Sequence, residues 1–318
     1  MPKEIKTYVK SNSNRALVTI AIGKEYLEKW EKNVLPTWIP YAKNHNLSIV
    51  TVIDDLLSKN DPSYKKATWQ KLIIPKYFIS KNLGYKHIAY LDSDVLINPL
   101  APDIFDFCDM EKINSTSLRF HLPYDYNKTL RKIALLRKTY IDKDYPLDSG
   151  MFIELDALYE YHNLIPQKDE FCAGLLVFSV DVYADFMAKC FNQYAASVKS
   201  ITNGGDQTHL NFHVQESGFF NRIDYKWQAI WSYEVVNNYP FLFQNKFKDI
   251  NLLSDCIKTV LFNNFFLHFA GNWPESTVWS NSDFSLTIKE IDFYKKLKEY
   301  EQKKLSGTPL GMIKVNTH

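Results

Sequence analysis

The chain of 318 residues has little of what marks several common classes of protein. Ten glycines and no evident internal repeat argue against a collagen-like chain and against a repeat array. The 38 basic and 36 acidic residues leave a formal net charge of +2, so the chain lacks the basic excess that attracts nucleic acid. We therefore expect no nucleic-acid partner.

Signals for membranes, secretion and disulfides are equally sparse. No stretch approaches the roughly 20 apolar residues that a helix needs to cross a bilayer. Residues 1–14 are polar and lack the apolar segment of a signal peptide. The cysteines, which form no CxxC pair, are Cys108, Cys172, Cys190 and Cys256. Because such scattered cysteines are typical of free thiols in a reducing compartment, the sequence predicts a soluble, cytoplasmic protein.

What the chain does have is apolar and aromatic content. Apolar residues make up 46% of the sequence, and 21 Phe, 20 Tyr and 7 Trp supply an excess of aromatic rings. This composition provides a substantial core and argues against bulk disorder. The aromatic excess is compatible with core packing, with an interface, and with a surface that stacks on flat ligands such as sugar rings.

Strand and helix patterns alternate over the first hundred residues. The predicted strands are residues 16–22, 47–53 and 87–91, and the predicted helices between them are residues 24–34 and 67–82. Pro75 is expected to kink or divide the second helix. This βαβαβ beginning indicates an α/β fold with a mostly parallel, Rossmann-like central sheet flanked by helices. Ligands bind such sheets at the carboxyl ends of the strands.

The rest of the chain is less regular. Residues 109–168 are rich in Lys, Tyr, Asp and Asn, and we interpret them as an elaboration beside the sheet. Further predicted elements are a helix over 128–140, a strand over 171–179, helices over 180–200 and 207–216, a strand over 259–269 and a Lys/Glu-rich helix over 284–305. We therefore expect one domain over residues 1–280 and a helical tail over residues 281–318.

The strongest chemical signal is an acidic pair at the end of a buried strand. Asp92 and Asp94 directly follow the apolar run HIAYL. Residues two apart in an extended segment face the same side, so both carboxylates can converge on one cation. Hard divalent ions such as Mg²⁺ and Mn²⁺ take oxygen ligands, commonly one or two carboxylates together with substrate phosphates. The D-x-D pattern alone is weak, because two solvated turn aspartates would also produce it.

Several further motifs accompany this pair in one order along the chain. They are Trp69-Gln70-Lys71, Asp92-Ser93-Asp94, Cys172-Ala173-Gly174, Asp206-Gln207 and His268-Phe269-Ala270-Gly271-Asn272-Trp273. In this order they resemble the GT-A nucleotide-sugar glycosyltransferases, in particular the retaining glycosyltransferase family 8 and its relatives. The likeness runs from about residue 16 to residue 274, and YLDSD is its most specific element.

The resemblance implies a metal centre. Asp92 and Asp94 would bind Mn²⁺, or Mg²⁺, at the donor diphosphate, and His268 would be the third protein ligand. Imidazole suits Mn²⁺ less well than carboxylate does, but it is tolerated. A core histidine is the alternative for His268, and the acidic pair favours the metal role. His209 and His213 have the spacing of a zinc pair, but an ordinary helix face is favoured because no third ligand accompanies them.

The resemblance also implies a site for the donor. The residues assigned to the nucleotide sugar are Ala21, Ile22, Lys71, Asp92, Ser93, Ala173, Gly174, Gly271, Asn272 and Trp273. Lys71 stands where the family often has Arg and would neutralise phosphate or organise the aspartates as a point charge. A solvated helix lysine is the alternative. Ala173 and Gly174 would line the donor sugar, and Gly271 would let the backbone approach the phosphates while the next two residues close over them.

The implied catalytic residues are Asp206 and Gln207, which would lie beside the anomeric carbon. In a retaining reaction the acceptor hydroxyl attacks from the leaving-group side and the diphosphate serves as base. An inverting enzyme needs a carboxylate base on the opposite face, for which Asp206 and Asp148 are the candidates. Asp206 is also placed to be simply the N-cap of the helix that follows it.

The chain departs from the family pattern at three places. Gly23-Lys24-Glu25 follows the first strand, where the family usually carries acidic or Asn residues that read the nucleobase. Asn272-Trp273-Pro274 replaces the family's K-P-W, and Cys172 replaces the usual Asn before the small pair. The segment between Asp94 and Cys172 is also longer than expected, so residues 109–168 are interpreted as an acceptor-side elaboration specific to this protein.

The expected activity is metal-dependent transfer of a hexose or pentose from a nucleotide diphosphate donor, with UDP-sugars favoured, to a hydroxyl of a glycan or glycoconjugate. A non-catalytic carbohydrate-binding protein on the same fold is the second hypothesis. A nucleotidyltransferase ranks last, because the Gly-rich basic loop expected after its first strand is missing. The C-terminal helix has a composition compatible with membrane contact, but packing of its apolar stripe on the domain is favoured.

Overall fold

The computed structural model describes residues 3–141, 150–195, 197, 205–280, 284 and 286–305. The chain forms two compact units, Met1–Phe284 and Ser285–His318. The strands are β1 (Ile5–Val9), β2 (Arg15–Ile20), β3 (Ser48–Val52), β4 (His87–Leu91), β5 (Val95–Ile97), β6 (Ile113–Ser115), β7 (Leu175–Ser179), β8 (Phe220–Arg222), β9 (Ala229–Ile230) and β10 (Phe266–His268). The α-helices are α1 (Lys24–Asn33), α2 (Leu35–Asn44), α3 (Ala67–Gln70), α4 (Ile74–Ser80), α5 (Tyr126–Tyr140), α6 (Leu155–Tyr161), α7 (Val180–Asn192), α8 (Gln207–Glu216), α9 (Trp231–Asn238), α10 (Ile250–Asn263) and α11 (Ile288–Leu305).

Seven strands form the central sheet, in the order β1-β3-β2-β4-β7-β6-β8. The middle strands β3, β2 and β4 pair in parallel, as the βαβαβ beginning predicts. β1 joins one edge antiparallel, and β7 runs antiparallel to both β4 and β6. The sheet therefore has a parallel centre with antiparallel pairings on either side of it.

Helices cover both faces of this sheet. In β4, Ala89 packs in the core that contains Trp38 of α2, whereas its neighbour Ile88 packs in the core that contains Phe78 of α4. Successive side chains of a strand point to opposite faces, so the two cores lie on opposite sides of the sheet. This double burial explains why the strands read as continuous apolar runs rather than as an alternation.

A second, three-stranded sheet, in the order β5-β10-β9, fixes the end of β10. β5 begins directly after Asp94 and pairs antiparallel with β10, so that His268 lies opposite Val95. The N–H of Phe269 donates to the carbonyl of Asp94 at 3.1 Å. This pairing brings the acidic pair and His268 together, although they lie far apart in the sequence.

Pro75 divides the helix predicted over residues 67–82. α3 ends at Gln70, a 3₁₀ turn covers Lys71–Ile73, and α4 begins at Ile74. Pro75 thus lies in the first turn of α4, where its missing N–H leaves no intrahelical bond unmade. The break places Lys71 in a turn rather than in the middle of a long helix.

The strand predicted over residues 259–269 is wrong in its first half. Residues up to Asn263 belong to α10, and only Phe266–His268 is strand. Asp249 caps α10 by accepting from the N–H of Leu252 at 3.2 Å, so the helix begins well before the apolar run. Because a short apolar run fits a buried helix as well as a strand, the local pattern could not separate the two.

The second unit contains α11, which begins at Ile288 rather than at residue 284. The N–H of Thr287 donates to Glu290 Oε2 at 2.7 Å, and the N–H of Glu290 donates to Thr287 Oγ1 at 3.2 Å. These reciprocal bonds form a capping box, which explains where the helix starts. Within the described ranges, no helix combines the length and apolar content needed to cross a bilayer.

Candidate active site

Three side chains that can bind a metal converge where β4 and β10 end. His268 Nε2 lies 3.2 Å from Asp94 Oδ1 and 3.9 Å from Asp92 Oδ2. One ligand atom from each of the three residues lies within 4.8 Å of the others, and they form the one such group of His, Cys, Asp and Glu among the described residues. The N–H of Val95 donates to the carbonyl of Asp92 at 3.2 Å, so the two aspartates lie in a turn and not in extended backbone as the i, i+2 argument assumed. Their carboxylates nevertheless approach the same imidazole.

The chemistry of this group fits a divalent cation. Two carboxylates and one imidazole are a donor set that accepts Mn²⁺ or Mg²⁺. Asp94 Oδ1 is buried and accepts no hydrogen bond of good geometry from the described residues. Burial lowers the pKa of His268, but Asp94 and Cys172 together outweigh burial and raise this pKa well above its usual value. The surroundings of the imidazole thus favour positive charge.

Gly174 packs directly against Asp92 and His268. A Cβ built at Gly174 would lie 2.4 Å from His268 Cε1 and 2.8 Å from Asp92 Oδ2. Real Cβ atoms do not approach other atoms so closely, so the ligands occupy space that any side chain would fill. The carbonyl of Gly174 also accepts from the N–H of Asp92 at 2.9 Å. Bare backbone at Gly174 therefore leaves the space that Asp92 and His268 occupy, and its contact with a donor sugar stays a prediction.

Lys71 is a buried part of the same site. Its side chain is only 4% exposed and lies 3.0 Å from Asp206 Oδ2 and 3.9 Å from Asp92 Oδ1. Nζ also donates to the carbonyl of Ala173 at 3.0 Å. Burial lowers the pKa of Lys71, but Asp206 and Asp92 outweigh burial and raise it to about 12. The alternative of a solvated helix lysine is therefore wrong. Lys71 is a buried, positively charged side chain that lines the cleft.

Asp206 occupies the N-cap position of α8, but its side chain makes no capping hydrogen bond. The carboxylate is 2% exposed and turns toward Lys71 instead. The interpretation of Asp206 as a simple helix cap is therefore wrong. The next residue, Gln207, projects into the cleft, and its Nε2 donates to Glu170 Oε1 at 2.8 Å.

Glu170 is a cleft carboxylate that the sequence analysis missed. Its second oxygen, Oε2, accepts from Arg119 Nε at 2.7 Å, and both side chains of this ion pair are at least 94% buried. Arg119 also donates to the carbonyls of Ile153 and Gly150 at 2.9 and 3.2 Å. These bonds hold Glu170, and through it the amide of Gln207, in one orientation.

The loop after β10 is anchored from behind by α5. Arg137 and Glu275 form a fully buried ion pair. The guanidinium carbon of Arg137 lies 4.3 Å from the centre of the Trp273 ring, within the range of a cation–π contact. Trp231 Nε1 donates to the carbonyl of Glu275 at 2.8 Å. Gly271 adopts φ = +96°, which glycine tolerates best, so the chain turns there between His268 and Trp273.

These residues surround a cleft with a volume of about 570 Å³. The predicted site residues that line it are Lys71, Asp92, Asp94, Ala173, Gly174, Asp206, Gln207, His268, Gly271 and Trp273. The predicted residues that are not among its lining are Ala21, Ile22, Ser93 and Asn272. Ser93 is buried and its hydroxyl donates to Tyr26 Oη at 2.9 Å. Asp148 lies outside the described residues.

Two further residues contact the group formed by Asp92, Asp94 and His268. No local pattern in the sequence indicates these contacts. The hydroxyl of Tyr90 donates to Asp92 Oδ1 at 2.8 Å. Gln228 Nε2 lies 3.0 Å from His268 Nδ1. Gln228 precedes β9, which pairs in parallel with β10, so this contact depends on a pairing between distant segments. Glu170, by contrast, lies two residues before Cys172, close enough to a recognised motif to have been considered.

The alternative zinc pair, His209 and His213, is part of an aromatic cluster. The ring of His209 lies 4.2 Å from that of Tyr194 and 4.9 Å from that of His162, centre to centre. His209 Nδ1 faces the carbonyl of Gly205 at 3.1 Å, and His213 Nε2 faces Tyr194 Oη at 2.7 Å. No metal-binding group among the described residues includes either histidine. Among the described residues, both rings pack in this aromatic cluster.

Comparison with known proteins gives the fold but no family. No protein-family model matches the chain, and no curated protein matches its sequence. Among solved structures, the chain is similar to the bifunctional glycosyltransferase WbbM in its apo form, with 12% identity and a TM-score of 0.50 over 89% of this chain. The match covers 52% of WbbM, so this chain spans about half of that structure.

Two weaker likenesses are to other glycosyltransferases. One is involved in the glycosylation of the major capsid of PBCV-1 and matches with 12% identity and a TM-score of 0.47, over 83% of this chain and 97% of that one. The other is GlyE of Streptococcus pneumoniae TIGR4, with 12% identity and a TM-score of 0.42, over 94% and 67% of the two chains. The seven-stranded sheet flanked by helices, together with the WbbM match, makes the fold GT-A-like.

Proposed function

We propose that this protein is a metal-dependent glycosyltransferase that moves a sugar from a nucleotide diphosphate donor, with UDP-sugars as the favoured class, to a hydroxyl of a glycan or glycoconjugate. The observation that carries the proposal is the convergence of Asp92, Asp94 and His268 at the carboxyl ends of strands, inside the cleft. Two carboxylates and an imidazole in a pocket of this size suit a cation that binds a diphosphate.

In this proposal Asp92, Asp94 and His268 hold Mn²⁺ or Mg²⁺, which would act as a Lewis acid toward the departing diphosphate. Lys71 contributes a fixed positive charge at the wall of the cleft, 3.9 Å from Asp92 Oδ1. A buried, preorganised charge is worth more for stabilising a leaving group than the same charge in water. Gly271 and Trp273 also line the cleft, and the bare backbone at Gly271 would leave room for phosphate.

We propose further that the transfer retains the anomeric configuration. Asp206 is paired with Lys71 at 3.0 Å, and its carboxylate is 2% exposed. A carboxylate engaged in this way is a poor general base for an inverting reaction, because both the ion pair and its burial keep it from an acceptor hydroxyl. Gln207 lines the cleft, and its carbonyl oxygen is the group proposed to stabilise an oxocarbenium-like transition state. The alternative is an inverting reaction with Asp206 or Asp148 as base, and the anomeric configuration of the product distinguishes the two mechanisms.

The acceptor is proposed to bind beside the elaboration formed by residues 109–168. Aromatic rings from this segment and from α9, Tyr126 and Tyr233, line the same cleft as the metal group. The hydroxyl of Tyr126 donates to the carbonyl of Met151 at 2.9 Å, which fixes its ring at the cleft wall. Aromatic rings with fixed orientation provide flat surfaces for sugar rings, so a glycan acceptor fits this composition.

The test is a screen for donor hydrolysis across UDP- and GDP-sugars with Mn²⁺, followed by NMR of the anomeric configuration of any product. We expect turnover that EDTA abolishes and Mn²⁺ restores. The double variant Asp92→Asn/Asp94→Asn should lose this turnover while keeping the fold, since it removes charge without changing side-chain shape. Asp109→Asn/Glu111→Gln removes the same charge at a turn outside the cleft and is the matched control.

Full turnover in EDTA, or in the Asp92→Asn/Asp94→Asn variant, would overturn the proposal. Binding of a sugar without metal, and without hydrolysis or transfer of any donor, would favour the non-catalytic carbohydrate-binding protein instead. An inverted product would replace the retaining mechanism while leaving the metal site intact.

A further inference from the structure

The imidazole of His268 has both of its nitrogens in contact with protein groups. Nε2 faces the carboxylates, at 3.2 Å from Asp94 Oδ1. Nδ1 faces the interior, where Gln228 Nε2 lies at 3.0 Å and Cys172 Sγ at 3.5 Å. The side chains of His268, Gln228 and Cys172 are all at least 96% buried. The protein therefore has to supply the partner for Nδ1.

A histidine that binds a cation through Nε2 keeps its proton on Nδ1. Nδ1 then donates, and its neighbour must accept. The amide nitrogen of Gln228 cannot accept, because it carries two hydrogens. The sulfur of a cysteine accepts only weakly. A cation on Nε2 is therefore compatible with the amide of Gln228 in one orientation only, with its oxygen toward His268.

The surroundings of Gln228 permit this orientation. Gln228 Oε1 lies 2.8 Å from Thr116 Oγ1, and a threonine hydroxyl both donates and accepts. Turning the amide over places Nε2 on Thr116 Oγ1 and Oε1 on the N–H of His268, so each bond is exchanged for another and none is lost. The orientation of an amide is assigned from such a network and not from atom positions alone. Both neighbours thus fit the turned amide.

Steric contacts hold the amide and the ring together. A Cβ at Gly174 would lie 2.4 Å from His268 Cε1 and 3.1 Å from Gln228 Nε2, so bare backbone packs against both groups. Gln228 lies directly before β9, and Ile230 of β9 pairs with His268 of β10 in parallel register. The position of Gln228 beside the ring is therefore fixed by the second sheet.

We propose that Gln228, supported by Thr116, is the positioning residue of the metal centre: its amide oxygen accepts the Nδ1 proton of His268 and so fixes the tautomer and ring orientation in which Nε2 binds the cation. The inference rests on the proposed function, because it requires a cation at Asp92, Asp94 and His268. Partners of this kind typically change metal affinity by about 10- to 100-fold when removed.

The test is titration of the full chain with Mn²⁺ alone. Binding is measured by calorimetry and by the electron paramagnetic resonance signal of free Mn²⁺. Gln228→Leu keeps the approximate size and removes the acceptor, and we expect it to weaken Mn²⁺ binding by about 10- to 100-fold. Gln228→Glu keeps an acceptor toward Nδ1, and Thr116 can donate to it, so affinity should stay within about threefold of wild type by the same reasoning. The rescue by Glu separates positioning from mere packing.

Gln215→Leu is the matched control. Gln215 is a half-buried glutamine whose Nε2 donates to the carbonyl of Asp169 at 2.8 Å, away from the metal group. Its loss should lower stability without changing Mn²⁺ affinity. As a second readout, long-range ¹H–¹⁵N correlations of the Mg²⁺-bound wild type should show His268 protonated on Nδ1.

The outcomes separate the two proposals. Wild-type protein that binds no Mn²⁺ overturns the metal site and this inference with it. Wild-type protein that binds Mn²⁺ while Gln228→Leu binds it equally well overturns only the role of Gln228. The same holds if Cys172→Ala, and not Gln228→Leu, weakens binding, since the thiol would then be the partner of Nδ1. A proton on Nε2 of the Mg²⁺-bound form contradicts both.

Discussion

His268 and His209 are both buried histidines, 3% and 2% exposed, but their rings face different groups. His268 ends a strand and points Nε2 at the carboxylates of Asp92 and Asp94. His209 lies on α8, where Nδ1 faces a backbone carbonyl and the ring packs against Tyr194 and His162. The two sites thus bury the same side chain in opposite electrostatic surroundings.

The pKa values of the two histidines move in opposite directions for a simple reason. Burial lowers the pKa of His209 to about 4, and the neighbouring His162 lowers it as well. Burial also lowers the pKa of His268, but Asp94 and Cys172 together reverse the effect and raise this pKa well above the usual value. Burial of a histidine is therefore no sign of function by itself, whereas carboxylates around a buried ring mark a place prepared for positive charge.

The most direct way to break the comparison is to remove each ring in turn. His268→Ala removes one of the three proposed protein ligands and should weaken Mn²⁺ binding by more than the roughly 100-fold that loss of an outer partner costs. His209→Phe keeps a ring of similar shape in the aromatic cluster and should leave Mn²⁺ affinity within about twofold, because His209 packs against Tyr194 and His162 and is not part of the Asp92–Asp94–His268 group. Calorimetric titration of both variants checks this. Equal affinities in the two variants would remove the distinction between the sites.

The second prediction concerns acid stability. The folded pKa of His209, about 4, lies below the value near 6.5 of an unfolded histidine, so the folded state disfavours its proton. Its contribution to stability is therefore complete above about pH 6.5 and is lost as the pH falls toward 4. Between pH 7.5 and 4.5 the free energy of unfolding should fall by up to about 2.5 kcal/mol on this account.

Urea unfolding of wild type and of His209→Phe across that pH range measures the effect. The variant should show a shallower decline at acid pH by about that amount. His121→Asn replaces an exposed histidine with a residue that tolerates its positive φ, and it should follow the wild-type curve. An unchanged acid decline in His209→Phe would mean that other groups govern it.

Features of the fold could be predicted from the sequence where the residue chemistry and the local pattern indicate the same structure. Asp92 and Asp94 follow a strand whose bounds were predicted residue for residue, and the parallel centre of the sheet follows from the order of early elements. The motif order then separated His268 from the other buried histidines, although the ring environment itself is invisible in the sequence.

Contacts between distant segments could not be predicted in this way. A strand pairing brings Gln228 to His268, and helix packing brings Arg137 to Glu275. In neither case does the spacing in the sequence indicate the partner. The N-cap alternative for Asp206 stayed open because a carboxylate at the start of a helix looks the same in sequence whether it caps the helix or pairs with Lys71. The apolar run over residues 259–269 fits both helix and strand, and only packing decided between them.

The smallest expected effect comes from adding one methyl group at Gly174, which would contact His268 but not His209. Gly174→Ala would place a Cβ 2.4 Å from His268 Cε1 and 2.8 Å from Asp92 Oδ2, so the ligands must shift by a few tenths of an ångström or more. Overpacking of this kind typically costs about 1–3 kcal/mol when the neighbours are held in place. We expect part of that strain to appear as about tenfold weaker Mn²⁺ binding. The acid decline governed by His209 should remain as in wild type, since the new methyl group contacts the other site. Calorimetry and urea unfolding on one preparation measure both quantities. A variant that keeps full Mn²⁺ affinity would show that His268 and Asp92 can move without loss, and the close packing at Gly174 would then have no part in the metal site.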